Sequence, residues 1–271
     1  MHNIVRASMW SVLLTFLALT TSHAGAGFAS DPAVNAVRHR DCSRAIREVN
    51  AVAANPDVAH AFTLFIGGRM LDEGICAQKA PDEAAKYLAR SAQLGTTEAN
   101  LELAAVIGMG QSVPQDYVSA GHACHDAGVD PNGLLPFYSV GYACTVSGVA
   151  SRLLRTSLPK GAFRLPTQPA VVEFNPVNSE LRIVSTPEPQ RGEVPLGSII
   201  GPSLVDPAQA ISKAFRDALT AVPKPDAESL SNQPIRLVLD LDITLEGGAA
   251  PPPSPSATLL PGDIPYHGAN N

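Results

Sequence analysis

The cysteines Cys42, Cys76, Cys124 and Cys144 are the residues whose type and spacing say most about chemistry in this chain. Their spacings of 34, 48 and 20 residues fit neither a zinc finger nor a zinc ribbon. In an oxidising compartment an even count predicts two disulfides, with three connectivities open to four cysteines. Locality favours Cys42 with Cys76 and Cys124 with Cys144, each bond tying one helical unit to its neighbour. His122, Cys124, His125 and Asp126 form a second cluster, in which His122 shares a helical face with His125 and with Asp126. Cys124 points elsewhere and is better used in a disulfide, so the cluster reads as ordinary helix surface and no metal is expected. Ser157-Leu-Pro-Lys160 matches the S-x-x-K nucleophile pattern, which needs the lysine one helical turn after the serine. Pro159 and Gly161 break a helix at that point, and the S-D-N and K-T-G partners are absent, so a linker is expected. Asp240 and Asp242 lie side by side on one face of an alternating segment, the arrangement of a carboxylate pair. Alternation alone accounts for them as solvent-facing residues. G-x-S-x-G, H-E-x-x-H, Walker and G-x-G-x-x-G patterns do not occur, so the chain reads as non-catalytic and without a cofactor.

Partners are bounded by charge and by the N-terminus. Residues 1–26 have one basic residue, Arg6, an uncharged run from Met9 to Leu19, and small residues at Ala24, Gly25 and Ala26, the order of a cleavable signal peptide. The apolar run is short of the roughly 20 residues that cross a bilayer. Loss of Arg6 takes the formal net charge from -6 to -7. That acidity, with no basic stripe, argues against nucleic acid. Export to the periplasm or medium is expected, with no membrane span after cleavage.

The elements that must position these residues divide at the prolines. Six prolines precede Pro159 and eighteen occur from Pro159 onward, which sets a boundary near residues 158 to 168. The first half predicts helices over about 31–54, 57–72, 81–94, 97–109, 115–127 and 132–156. Pro32, Pro81 and Pro114 mark helix starts, and Gly74, Gly95, Gly110 and Gly128 mark ends. Gly74 and Gly110 are 36 residues apart, and the same interval relates Gly68 to Ala104 and Ala84 to Ala120. A period of that size predicts stacked helix-turn-helix units whose small residues let paired helices approach.

On these residues the chain resembles the Sel-one-like repeat family, relatives of tetratricopeptide repeats. The segment from Ala99 through Leu103, Ala104, Ile107, Gly110, Val113, Asp116 and Tyr117 to Ala120 follows the family pattern. Ala104, Ile107 and Ser112 replace its usual Gly, Tyr and Gly. The preceding unit keeps Gly68, Gly74, Ala84, Tyr87, Ala92 and Gly95, with Leu71 and Ala80 where Tyr and Asp are usual. The resemblance covers about residues 60–128. It implies an adaptor whose curved helical surface binds a protein or peptide. Some cysteine-rich members are associated with penicillin binding or hydrolysis, but they carry a cysteine pair inside each repeat, unlike this chain.

The second half predicts a small α+β domain over 165–248. Strands are expected at about 170–174 and 180–186, and a helix N-capped by Asp206 with an apolar stripe of Ile211, Phe215, Ala218, Leu219 and Val222. Ile235 to Glu246 alternates strictly and reads as a half-buried strand. The order of that helix, the prolines after it and the long strand is similar to the C-terminal domain of TonB-type energy transducers, which implies an envelope transport role. Residues 249–271, rich in Pro, Ser and Gly, read as a disordered tail. The expected architecture is a short α-solenoid over 31–157 followed by a small α+β domain.

Overall fold

The structure, a computed structural model, describes residues 31–110, 114–157, 170–186 and 206–239. The readings made for residues 1–26, Lys160, Asp240, Asp242 and residues 249–271 lie outside them.

Helix α1, Pro32–Arg38, starts where the sequence predicts, with Asp31 Oδ1 accepting from Ala33 N and Val34 N at 2.8 and 3.1 Å. The single helix expected over 31–54 is instead two. Arg40 takes φ +58° and Asp41 caps a new helix, α2, Cys42–Ala53, by accepting from Arg44 N. A capping side chain competes with helix continuation because it satisfies a backbone donor that a helix start leaves open. After a short turn at Val58–His60 come α3, Ala61–Glu73, and α4, Pro81–Gln93. Then follow α5, Thr97–Met109, α6, Tyr117–Asp126, and α7, Phe137–Ser157. The last begins later than the sequence reading, because residues 127–136 form a loop in which Asp130 and Gly133 both take positive φ. Gly74 and Gly110 end α3 and α5 in the left-handed conformation that glycine adopts without steric cost.

Consecutive helices pack on each other, α3 on α4, α5 on α6, and α7 on both α5 and α6. Ala84, Ala99, Ala104 and Ala120 are fully buried at these contacts. A Cβ on Gly68 would stand 2.7 Å from the Leu88 side chain of α4. The closest approach is between α6 and α7, where a Cβ on Gly121 would strike the Phe137 carbonyl and one on Gly141 the Tyr117 carbonyl.

Strands β1, Ala170–Asn175, β2, Glu180–Ser185, and β3, Ile235–Leu239, form an antiparallel sheet in the order β2-β1-β3. Val172 and Phe174 of β1 and Ile235, Leu237 and Leu239 of β3 are buried, while Arg236 and Val238 are exposed, the alternation a one-sided sheet requires. Helix α8, Pro207–Ala221, capped by Asp206, buries Ile211, Ala214, Phe215 and Ala218. Its Phe215 ring lies 6.1 Å from Phe174, which in turn lies 6.1 Å from Tyr142 of α7. The apolar core therefore runs unbroken from the helices through α7 into the sheet. Tyr117 Oη donates to the Pro223 carbonyl at 2.5 Å, and Ser231 N donates to Ser139 Oγ at 2.8 Å, so polar bonds cross the same boundary. The fold is mostly helical with a small three-stranded antiparallel sheet.

Candidate functional site

Helices α3 and α5 are apolar on nearly every side, so charges on them have no solvent face to occupy. Arg69, Asp72, Glu73 and Glu102 are accordingly drawn inside, where Arg152 and Arg155 of α7 meet them. Arg155 Nη2 stands 2.9 Å from Glu73 Oε1 and 2.8 Å from Glu102 Oε1, and Arg69 Nε donates to Glu73 Oε1 at 2.9 Å. Arg152 Nε and Nη2 both reach Glu102 Oε2 at 3.3 Å. Arg152 Nη2 also lies 2.8 Å from Asp72 Oδ2, close in distance but poorly aligned for a hydrogen bond. Three guanidiniums thus face three carboxylates across the ends of α3 and α7 and the middle of α5.

The three acids respond differently. Burial raises the Glu73 carboxyl, but the charges of Arg69 and Arg155 overcome it and hold the group at about 2. Glu102 is pulled below the ordinary glutamate range in the same way, Arg155 and Arg152 outweighing burial. Asp72 goes up, because burial outweighs the opposing pull of Arg152. A general acid or base needs a group poised near the working pH and open to a substrate. Glu73 and Glu102 are held below the ordinary glutamate range and are paired with arginines, so the cluster joins three helices.

A groove of about 430 Å³ lies between α4, α5 and α6. Ala92 and Gln93 form one wall, Thr97, Asn100 and Leu103 the floor, and Ser119, His122 and Asp126 the other wall. Its lining mixes apolar and hydrogen-bonding groups, which suits a peptide, whose backbone and side chains need both.

The sequence-selected residues fall as follows. Cys42 is bonded to Cys76, with Cα atoms 4.9 Å apart, and Cys124 to Cys144, at 6.5 Å. The first bond joins the start of α2 to the chain after α3, and the second joins α6 to α7. His122 and His125 both pack on Phe137, at ring separations of 3.9 and 5.7 Å, and His125 Nδ1 lies 3.0 Å from the Asp130 carbonyl oxygen. Among the described residues no three His, Cys, Asp or Glu side chains converge as metal ligands. Ser157 Oγ donates to the Leu154 carbonyl at 3.4 Å. Ser119 is half-buried and donates through Oγ to Asp116 Oδ2 at 2.6 Å, beside the cap that Asp116 forms on α6. Gly68, Ala84, Ala99, Ala104 and Ala120 lie at helix contacts, and Gly74, Gly95 and Gly110 at left-handed turns.

The ionic cluster was missed, although one signal for it was present: a charged residue inside a helix with no polar face must be buried and paired. Gly121 and Gly141 carried no periodic signal. No helix among the described residues is long and apolar enough to cross a membrane, and the two disulfides fit an exported protein in an oxidising environment. Comparison with protein-family models, with curated proteins and with solved structures finds no match.

Proposed function

We propose that this chain is an exported, non-catalytic adaptor of the periplasm or extracellular space, built as a short Sel-one-like helical array that holds a protein or peptide partner. The observation that carries the reading is the groove between α4, α5 and α6, open to solvent and lined by both apolar and hydrogen-bonding side chains. Support also comes from the pairwise packing of α3 on α4 and α5 on α6, with small residues at a 36-residue interval at the contacts. Stacked helical pairs use such surfaces to hold extended segments because each pair adds a fixed rotation to a continuous face. The test is affinity capture from the cell envelope with the native chain and with Asn100→Arg, which fills the groove. A partner bound by the native chain should be lost with Asn100→Arg and kept with Val118→Arg, placed on an exposed position of α6. A partner that binds all three equally removes the groove from the reading.

A second reading is favoured by one observation. Helix α8, the prolines after it and strand β3 follow in an order similar to that of the TonB-type C-terminal domain. On that reading the sheet takes an extended segment of an outer-membrane receptor by strand addition. Binding of receptor-derived peptides that survives Asn100→Arg would favour it over the groove.

A further inference from the structure

A second cavity, of about 260 Å³, lies between α5, α7, β3 and the loop joining α6 to α7. On α5 it is lined by Leu101 and Glu102, whereas the groove uses Asn100, Leu103 and Ile107 of that helix, so the two spaces lie on different faces. We infer that this cavity binds a small zwitterion with an apolar body, of the size and chemistry of an aliphatic α-amino acid.

Three kinds of wall carry the inference. Asp130 is fixed at φ +50°, with Oδ2 accepting from Leu135 N at 2.8 Å, and its Oδ1 accepts no hydrogen bond among the described residues. Arg236, at the end of the cavity formed by β3, makes no ion pair among the described residues, since Glu173 opposite it in register is held by Arg182. Leu101, Val129 and Leu237 are apolar members of the same lining. Ser147 and Ser151, one helical turn apart on α7 and both buried, add hydroxyl donors to the lining.

The charges select the ligand. Glu102 also lines the cavity, but Arg152 and Arg155 already neutralise it and would repel an incoming ammonium. The ammonium therefore goes to Asp130, and the carboxylate to Arg236 and the serine hydroxyls. A sphere of the cavity's volume is about 8 Å across. An α-amino acid with a short aliphatic side chain fits within that space, with a hydrogen bond of about 2.8 Å made at each charge. A simple amine or a simple carboxylate would satisfy only one end and leave the other charge without a counterpart.

The experiment is isothermal titration of the full exported chain with L-leucine, with 4-methylpentanoate, which lacks the ammonium, and with isopentylamine, which lacks the carboxylate. Saturable binding of L-leucine is expected, weakened at least tenfold for both analogues. Asp130→Asn and Arg236→Gln should each weaken L-leucine binding at least tenfold while leaving the melting temperature of the free protein nearly unchanged. Absence of saturable L-leucine binding at millimolar concentration overturns the inference. So does binding that is indifferent to both substitutions, which would place the ligand elsewhere. Neither outcome bears on the groove, since Asn100→Arg leaves this cavity intact.

Discussion

At the scale of single residues, the structure separates positions that look alike in sequence. Gly141 and Gly95 are both helix-associated glycines, yet a Cβ on Gly141 would strike the Tyr117 carbonyl while one on Gly95 meets nothing within 4 Å. A backbone carbonyl cannot rotate aside as a side chain can. Gly141→Ala should therefore cost at least the roughly 1–3 kcal/mol of ordinary overpacking. Gly95→Ala, which bears only the strain of its positive φ, should cost about 1 kcal/mol. Urea denaturation of the two variants gives the comparison, and equal losses would contradict the close approach of α6 and α7.

The ionic cluster makes a pH prediction of definite sign. Glu73 titrates at about 2 in the folded protein against an ordinary 4.5, so its contribution is fully present above pH 4.5 and is lost as the pH falls toward 2. The size is on the order of 3 kcal/mol. Glu102 acts in the same direction, whereas Asp72, raised above 3.8, opposes them, its own contribution being lost as the pH rises through its folded value. Denaturation midpoints should fall steeply between pH 4.5 and 2, and Glu73→Gln should start lower and show a shallower slope. An unchanged slope in that variant would remove Glu73 as the source.

At the scale of elements, the small residues and the disulfides carry the helical half. Ala120 is fully buried and Val118, two residues before it on α6, is 45% exposed. Ala120→Leu should destabilise by roughly 1–3 kcal/mol because paired helices must separate to admit it, while Val118→Leu should be nearly neutral. Thermal melts of the two variants that coincide would undo the 36-residue periodicity as a packing rule. The bonds Cys42–Cys76 and Cys124–Cys144 close loops with sequence separations of 34 and 20 residues. In the chain-entropy model each contributes on the order of 3 kcal/mol, so reduction should lower the melting temperature clearly. Thiol titration of the denatured, unreduced protein should find none free.

At the scale of the whole molecule, α7 belongs to both halves. It packs on α5 and α6 on one side and on α8 and β3 on the other. Calorimetry of the chain should then show one transition, because the core from the helices through Tyr142 to Phe174 and Phe215 is continuous. Two resolved transitions would mean that the proline-marked boundary also divides the molecule energetically.

The sequence by itself determined the helical first half, most helix ends, the strands near 170 and 180, and the capped helix at Asp206. Each of these is written in neighbouring residues: a cap, a proline in a first turn, a glycine past a last turn, or an alternation. The break at Arg40 was also local, but Asp41 as a cap competed there with an apolar pattern that ran on past it. Tertiary structure alone decided that Glu73 and Glu102 would meet Arg155, which lies 82 and 53 residues further along the chain. It alone placed Gly121 against Phe137 and Gly141 against Tyr117, and brought Asp130 and Arg236 to one cavity. Periodicity reports which face of an element turns inward, because burial acts on each residue by its own polarity. It does not report which element waits there, because that is fixed only when the faces of distant segments meet.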